Sequence, residues 1–204
     1  MKYLVSWSGG YDSTFLICKL LSEGHQVHGL YTSLLNNEQK TKRELQAIDD
    51  LYENYFKNYN FTYSKDSSVN IHGNCNLSLK QPILFLTSLL YSSGGYDKVA
   101  IGYVLNDCAI SFLPELNAIW NSYKMLSNDK IPDLEFPLIK VDKTTTVSSI
   151  PYKIKKYITW CESPVESNLP CGVCAPCKKM IMHELFPNFS NDSVKEDECE
   201  AKKY

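Results

Sequence analysis

Short apolar runs and longer segments of helical apolar spacing take turns along the chain. Tyr3-Leu4-Val5 predicts a first strand. From Ser13 to Glu23, Phe15, Leu16, Leu20 and Leu21 return at helical intervals, and Gly24 stands where a helix-ending glycine belongs. Gln26 to Tyr31 predicts a second strand, with Val27 and Leu30 apolar, and Thr32 to Asn37 a polar loop. Leu45, Ile48, Leu51, Tyr52, Tyr55 and Phe56 mark a helix from Glu38 to Lys57, before a third strand at Asn60 to Ser64. Lys65 to Leu79 is polar, irregular and long enough for a functional lid. Pro82 to Tyr91 predicts an apolar helix with proline in its first turn. Its Ile83, Leu84, Phe85, Leu86, Leu89 and Leu90 point nearly all round, so burial between the sheet and a further body, such as a second subunit, is expected. A fourth strand at Lys98 to Val104 and a helix at Pro114 to Ser127 follow. Leu134 to Ile139 predicts a fifth strand, placed at an edge or strand end by Pro137. Thr144 to Ser149 predicts a short helix.

Strands alternating with helices predict an α/β fold with a doubly wound, mostly parallel five-stranded sheet. The turn after the first strand then lies at the carboxyl end of the sheet, near a switch point. That turn is Ser6-Trp7-Ser8-Gly9-Gly10-Tyr11-Asp12-Ser13-Thr14. Two glycines let backbone approach a ligand closely, and Asp12 or Ser13 can cap the helix that begins there. Free N–H groups at a helix start favour an anion, phosphate first among candidates. No lysine follows the glycines, so the loop is not a Walker A motif. Ser8-Gly9-Gly10-Tyr11-Asp12-Ser13 resembles instead the Ser-Gly-Gly-x-Asp-Ser loop of the PP-loop ATP pyrophosphatase superfamily. That resemblance implies an adenine nucleotide alpha hydrolase-like fold and ATP cleavage between the α and β phosphates.

The formal net charge of −2 over 204 residues gives no general case for a nucleic-acid or membrane partner. With no basic segment leading into an apolar stretch at the N-terminus, a cytoplasmic protein is expected. Of eight cysteines, Cys161, Cys171, Cys174 and Cys177 are bunched. In a reducing compartment that bunch points to a metal rather than to disulfides. Two successive Cys-x2-Cys steps and a fourth sulfur suit tetrahedral zinc with no open position, hence a structural ion, one per chain; an iron–sulfur cluster is the other candidate.

The glycine loop and the cysteine spacing together resemble the 7-cyano-7-deazaguanine synthase (QueC) family, from about Lys2 to Met182. Ile83-Leu84-Phe85-Leu86-Thr87, Ile101-Gly102 with Asp107 beyond it, Val141-Asp142-Lys143-Thr144 and Trp160-Cys161 are softer matches. The resemblance implies ATP-dependent activation of the carboxylate of 7-carboxy-7-deazaguanine, amidation by ammonia, and dehydration of the amide to a nitrile by a second ATP. It implies Ser8, Gly9, Gly10, Tyr11, Asp12, Ser13, Thr14 and Tyr31 at the nucleotide, with Mg2+. Asp12, Ser13, Lys80 and Asp107 are the implied catalytic residues. Two stretches depart from the family. Leu79-Lys80-Gln81-Pro82 stands where the family has Pro-Gly-Arg-Asn, and Tyr31-Thr32-Ser33-Leu34-Leu35 where it has Tyr-Gly-Gln-Arg-His. The ATP half is intact and the acceptor half has diverged. Alternatives are therefore an amide or a conjugate with another amine, as in QueC-like proteins of antiphage systems, or a non-catalytic zinc-dependent binding module.

The expected organisation is an ATP-binding domain over 1–142, a helical zinc lobe over 143–189 and a mobile charged tail over 190–204. ATP, a carboxylated deazaguanine and ammonia or another amine are the expected small-molecule partners. A homodimer is expected, and no membrane or nucleic acid.

Overall fold

A computed structural model describes residues 1–34, 37–69, 77–92, 94–128, 130–165 and 169–182. Five strands form one sheet: β1 (Lys2–Ser6), β2 (Gln26–Ser33), β3 (Phe61–Ser68), β4 (Lys98–Ala100) and β5 (Asp133–Glu135). All pairs are parallel, in the order β3-β2-β1-β4-β5. The chain winds outward from β1 in one direction, then returns to the other side of β1 to lay down β4 and β5. The crevice between the ends of β1 and β4 is therefore the switch point, and the glycine loop opens there.

The pleat sorts neighbouring residues into two cores. Val5 and Trp7 join Leu16 and Ile17 of α1 (Tyr11–Ser22) and Ile48 and Leu51 of α2 (Glu38–Asn54) on one face. Leu4 and Leu30 join Phe85 and Leu89 of α3 (Leu77–Ser92) and Leu116 and Trp120 of α4 (Leu113–Leu126) on the other. The cysteine-bearing segment does not stand apart. Val147 of α5 (Lys143–Ser149), Ile154 of α6 (Tyr152–Lys155), Ile158, and Met180 of α7 (Ala175–Met182) all enter the α1 core. Caps fix two of the helix starts: the Asn37 side chain accepts from Lys40 N at 3.0 Å, and Asp142 accepts from Thr145 N at 2.8 Å.

Several boundaries differ from those the sequence predicts. Helix α3 starts at Leu77, so Pro82 lies inside it rather than in its first turn. Proline there has no N–H to donate to the Ser78 carbonyl, so α3 lacks one bond in its second turn. One face of α3 is buried, through Phe85 and Leu89, while Leu86 and Leu90 are 50% and 68% exposed, so the helix is not covered all round in the single chain. β4 and β5 are short because their ladder ends at Ala100–Glu135. Ile101 to Val104 then runs on toward the crevice, and Phe136 to Val141 turns, with Ile139 N donating to Phe136 O at 3.2 Å. β3 runs on to Ser68, into the stretch expected as a lid. His72, Gly73, Asn74 and Cys75 of that stretch, and the charged tail, lie outside the described residues.

Gly29 of β2 is where the sheet has no room for a side chain. A Cβ there would lie 2.8 Å from Trp7 Cε3 and 3.0 Å from Phe61 Cζ, two rings already packed edge to face. Gly29→Ala is expected to lower the free energy of unfolding by about 1–3 kcal/mol, read from the urea midpoint at unchanged slope.

Candidate active site and cysteine centre

The glycine loop leaves β1 with Trp7 N donating to Leu30 O at 2.9 Å. Gly9 has φ +71°, the left-handed region, and a Cβ on it would sit 3.1 Å from the Ala47 Cβ of α2. Both conformation and space therefore require glycine. The residue capping α1 is Gly10, with no side-chain cap bond. Asp12 and Ser13, expected as caps, lie two and three residues past the cap position, within the first turn. Helical bonding already starts with Thr14 N donating to Gly10 O at 3.0 Å. Ser13 Oγ closes the loop instead: it accepts from Ser8 N and donates to Gly10 O, each at 3.4 Å. The start of α1, with its partial positive charge, is thus left without a side chain over it.

Charged groups gather beside that helix start. Lys143 Nζ donates to both carboxylate oxygens of Asp12 at 2.7 Å. Burial raises the Asp12 carboxyl above its ordinary value; Lys143 opposes this, the nearby Asp107 charge adds to it, and Lys179 opposes it more weakly. Asp107 arrives on the continuation of β4, after a tight turn in which Asn106 has φ 65° and Asp107 N donates to Val104 O at 3.0 Å. A Cβ on Gly102 would lie 3.2 Å from the backbone of Asp12 and Ser13, so the continuation of β4 lies flat against the first turn of α1. Two carboxylates, two ammonium groups and a bare helix start suit a polyphosphate with a divalent cation.

The remaining expected residues divide. Thr14 is fully buried, its Oγ1 accepting from Trp7 Nε1 at 3.2 Å, and Tyr11 is buried against Trp160 with ring centroids 5.5 Å apart. Burial pushes the Tyr11 phenol up to about 12. Their backbone is at the loop; their side chains are in the core. Tyr31 is also buried and donates to Glu44 Oε2 at 2.9 Å. Burial raises the Glu44 carboxyl, against the pull of Lys40, which also pairs with Glu162. Lys80 sits in α3, and no hydrogen bond or ion pair among the described residues joins it to the glycine loop. Its neighbour Gln81 accepts instead from the buried Tyr103 hydroxyl.

Lys143 and Thr159 belong to the site and are missing from the residues the sequence singled out for it. Lys143 carried one signal, its place in the Val141-Asp142-Lys143-Thr144 stretch that gave one of the softer family matches. Thr159, whose N–H donates to Gly9 O at 3.1 Å, carried none, because a threonine between Ile158 and Trp160 reads as strand or core.

The four bunched cysteines do converge. Their sulfurs all lie within 4.8 Å of one another, and Cys161 and Cys174 are 3.9 Å apart. Sulfurs at about 2.3 Å around tetrahedral zinc would be separated by about 3.8 Å. Gly172, at φ +75°, bends the chain between Cys171 and Cys174. Cys171 N donates to Cys161 Sγ at 3.2 Å and Cys174 N to Cys171 Sγ at 3.3 Å, bonds that favour thiolates. A hydrogen bond from Cys177 is the main cause that brings the Cys174 thiol down to about 4. The donor set fits a structural zinc ion.

Lys143→Gln removes the strongest group opposing the burial of Asp12, so its carboxyl should ionise at higher pH still. The acid limb of a pH profile of pyrophosphate release, or a carbon NMR titration of Asp12, should move up by about one unit or more. Cobalt titrated into the reduced, metal-free chain should saturate at one ion with intense sulfur-to-metal absorption. Cys161→Ser should weaken that absorption and lower the melting temperature by several degrees.

No protein-family profile matches the chain. The chain is 32% identical over 159 residues to the tRNA-specific 2-thiouridylase MnmA of Sulfurimonas denitrificans (strain ATCC 33889 / DSM 1251), a stretch covering 67% of this chain and 45% of that protein. The match thus spans less than half the length of that relative. A structure described as a predicted subunit of tRNA methyltransferase from Methanocaldococcus jannaschii superposes with a TM-score of 0.47 at 16% identity, covering 72% of this chain and 73% of that one. PH1313 from Pyrococcus horikoshii Ot3 superposes with a TM-score of 0.37 at 18% identity, covering 72% and 39%. The sequence similarity to MnmA, joined to the complete Ser8–Ser13 loop, supports homology to the PP-loop ATP pyrophosphatases.

Proposed function

We propose that the chain is an ATP-dependent enzyme that forms AMP and pyrophosphate and uses the adenylate to activate an oxygen of a nucleobase-type substrate. The observation that carries this reading is the uncapped start of α1 beside the Lys143–Asp12 pair. Loop backbone, Ser8 and Ser13 would hold the phosphates. Asp12 and Asp107 would hold Mg2+, which shields the phosphate charge when bound. Lys143 and Lys179 would balance the negative charge that grows as pyrophosphate leaves. Little acid–base chemistry is needed; positioning and charge neutralisation dominate.

Within this class, the deazaguanine reading is favoured by the pairing of the loop with a four-cysteine centre. The carboxylate oxygen of 7-carboxy-7-deazaguanine attacks the α phosphorus, and pyrophosphate leaves. Ammonia then displaces AMP from the acyl carbon and gives the amide. A second ATP adenylates the amide oxygen with loss of pyrophosphate and one N–H proton, and loss of AMP and the remaining N–H proton leaves the nitrile. In the second reading the acceptor differs: the product is an amide, a conjugate with another amine, or a modified base in RNA. Two observations favour it. The relative at 32% identity is tRNA-specific. Residues 143–182 also carry six lysines against two glutamates in a chain whose formal net charge is −2.

The test supplies ATP, Mg2+, 7-carboxy-7-deazaguanine and ammonium, and in parallel other amines or unmodified tRNA, with products identified by mass spectrometry. Equal AMP and pyrophosphate are expected, with amide appearing before nitrile. AMP formation only with another amine or with tRNA transfers the assignment to the second reading. Asp12→Ala should slow pyrophosphate release by about 100-fold or more; release at the wild-type rate overturns the role given to the loop.

A further inference from the structure

Arg43 lies in α2, one turn past its start. Its Nε donates to Thr159 Oγ1 at 2.9 Å. Thr159, buried in turn, holds both loop glycines: its N–H donates to Gly9 O at 3.1 Å, and its carbonyl lies 3.4 Å from where a Cβ on Gly10 would be. Two residues on, Cys161 opens the four-sulfur centre. Arg43 Nη1 is buried and has no hydrogen-bond partner among the described residues. A buried donor in that state is uncommon and calls for an explanation. Burial works against the Arg43 charge, while the sulfurs of Cys161 and Cys177 favour it. A divalent ion in four thiolates keeps two net negative charges, and a guanidinium beside it offsets them.

We propose that Arg43 is a positioning residue with two neighbours: it is the counter-charge of the metal-loaded cysteine centre and, through Thr159, the prop of the Ser8–Ser13 loop. Metal occupancy thereby sets how well the loop holds ATP. The metal half stands by itself; the nucleotide half rests on the function proposed above.

The test uses the full zinc-loaded chain and three variants: Arg43→Met, Arg43→Lys and Thr159→Val. Zinc transfer to a chromophoric chelator is timed without nucleotide, and ATP affinity is measured by calorimetry. Arg43→Met should release zinc about tenfold faster or more and bind ATP more weakly. Thr159→Val keeps the charge and loses the hydroxyl, so it should release zinc at the wild-type rate and still bind ATP more weakly. Arg43→Lys should keep the slow zinc release. Zinc release by Arg43→Met at the wild-type rate overturns the counter-charge, and wild-type ATP affinity in Thr159→Val overturns the prop. Should Arg43→Met fail to fold, fast release from Arg43→Lys, where the charge remains, overturns the first half just as directly. A wild-type chain that binds no ATP sinks the proposed function instead, leaving the zinc-release comparison to judge Arg43.

Discussion

The contact between Gly9 and Ala47 governs how this molecule is put together. A loop that must present backbone amides to a ligand has few side chains of its own to fix its shape, here the Ser13 hydroxyl. Its form has to be imposed from outside. Here α2 presses on it from one side, the continuation of β4 from another, and Thr159 from behind. Each surface meets bare backbone at a glycine: Gly9 at Ala47, Gly10 at the Thr159 carbonyl, and Gly102 at the first turn of α1. Glycine is needed at these points because two pieces of main chain approach within one Cβ of each other.

This explains which parts of the molecule were legible in the sequence. The doubly wound, five-stranded parallel sheet followed from alternation and the parallel-sheet rules, and the loop from its own six residues. The cysteine centre followed from spacing alone, because two Cys-x2-Cys steps force sulfurs together in a single turn. Helix ends were less legible. Pro82 reads as a helix start since proline is disfavoured further in, yet one more turn forms upstream of it. The cap of α1 was misplaced for a related reason. Asp12 and Ser13 have capping side chains, but Gly10 takes the position, and the acid is left for Lys143, 131 residues away. A pairing over such a distance depends on tertiary folding, and local propensity contains no trace of it.

The Arg43–Thr159 pairing was not legible for the same reason in stronger form. Arg43 opens a helix beside Lys40 and Lys42, and those three cations read either as a solvated face or as one group reaching an anionic ligand at the sheet edge, never as a partner of Thr159. Only the packing of the 143–182 segment onto α1 turns it inward. The cysteine segment is thus part of the nucleotide-side core. Its Ile154, Ile158 and Met180 are buried among residues of α1 and α2, so its burial and the shape of the loop rise or fall together.

Helix α2 carries Lys40 and Glu44 near one end and Ala47 only a turn further on. The groups around Tyr31 are therefore bolted to the same rod that braces the glycine loop. A rod cannot slide at one end alone. Exchanges of side chain on a helix of fixed register leave that brace in place, whereas an inserted residue between Lys40 and Ala47 would turn Ala47 away from Gly9. A change of length is therefore accommodated more readily in the segment that precedes α2 than within it.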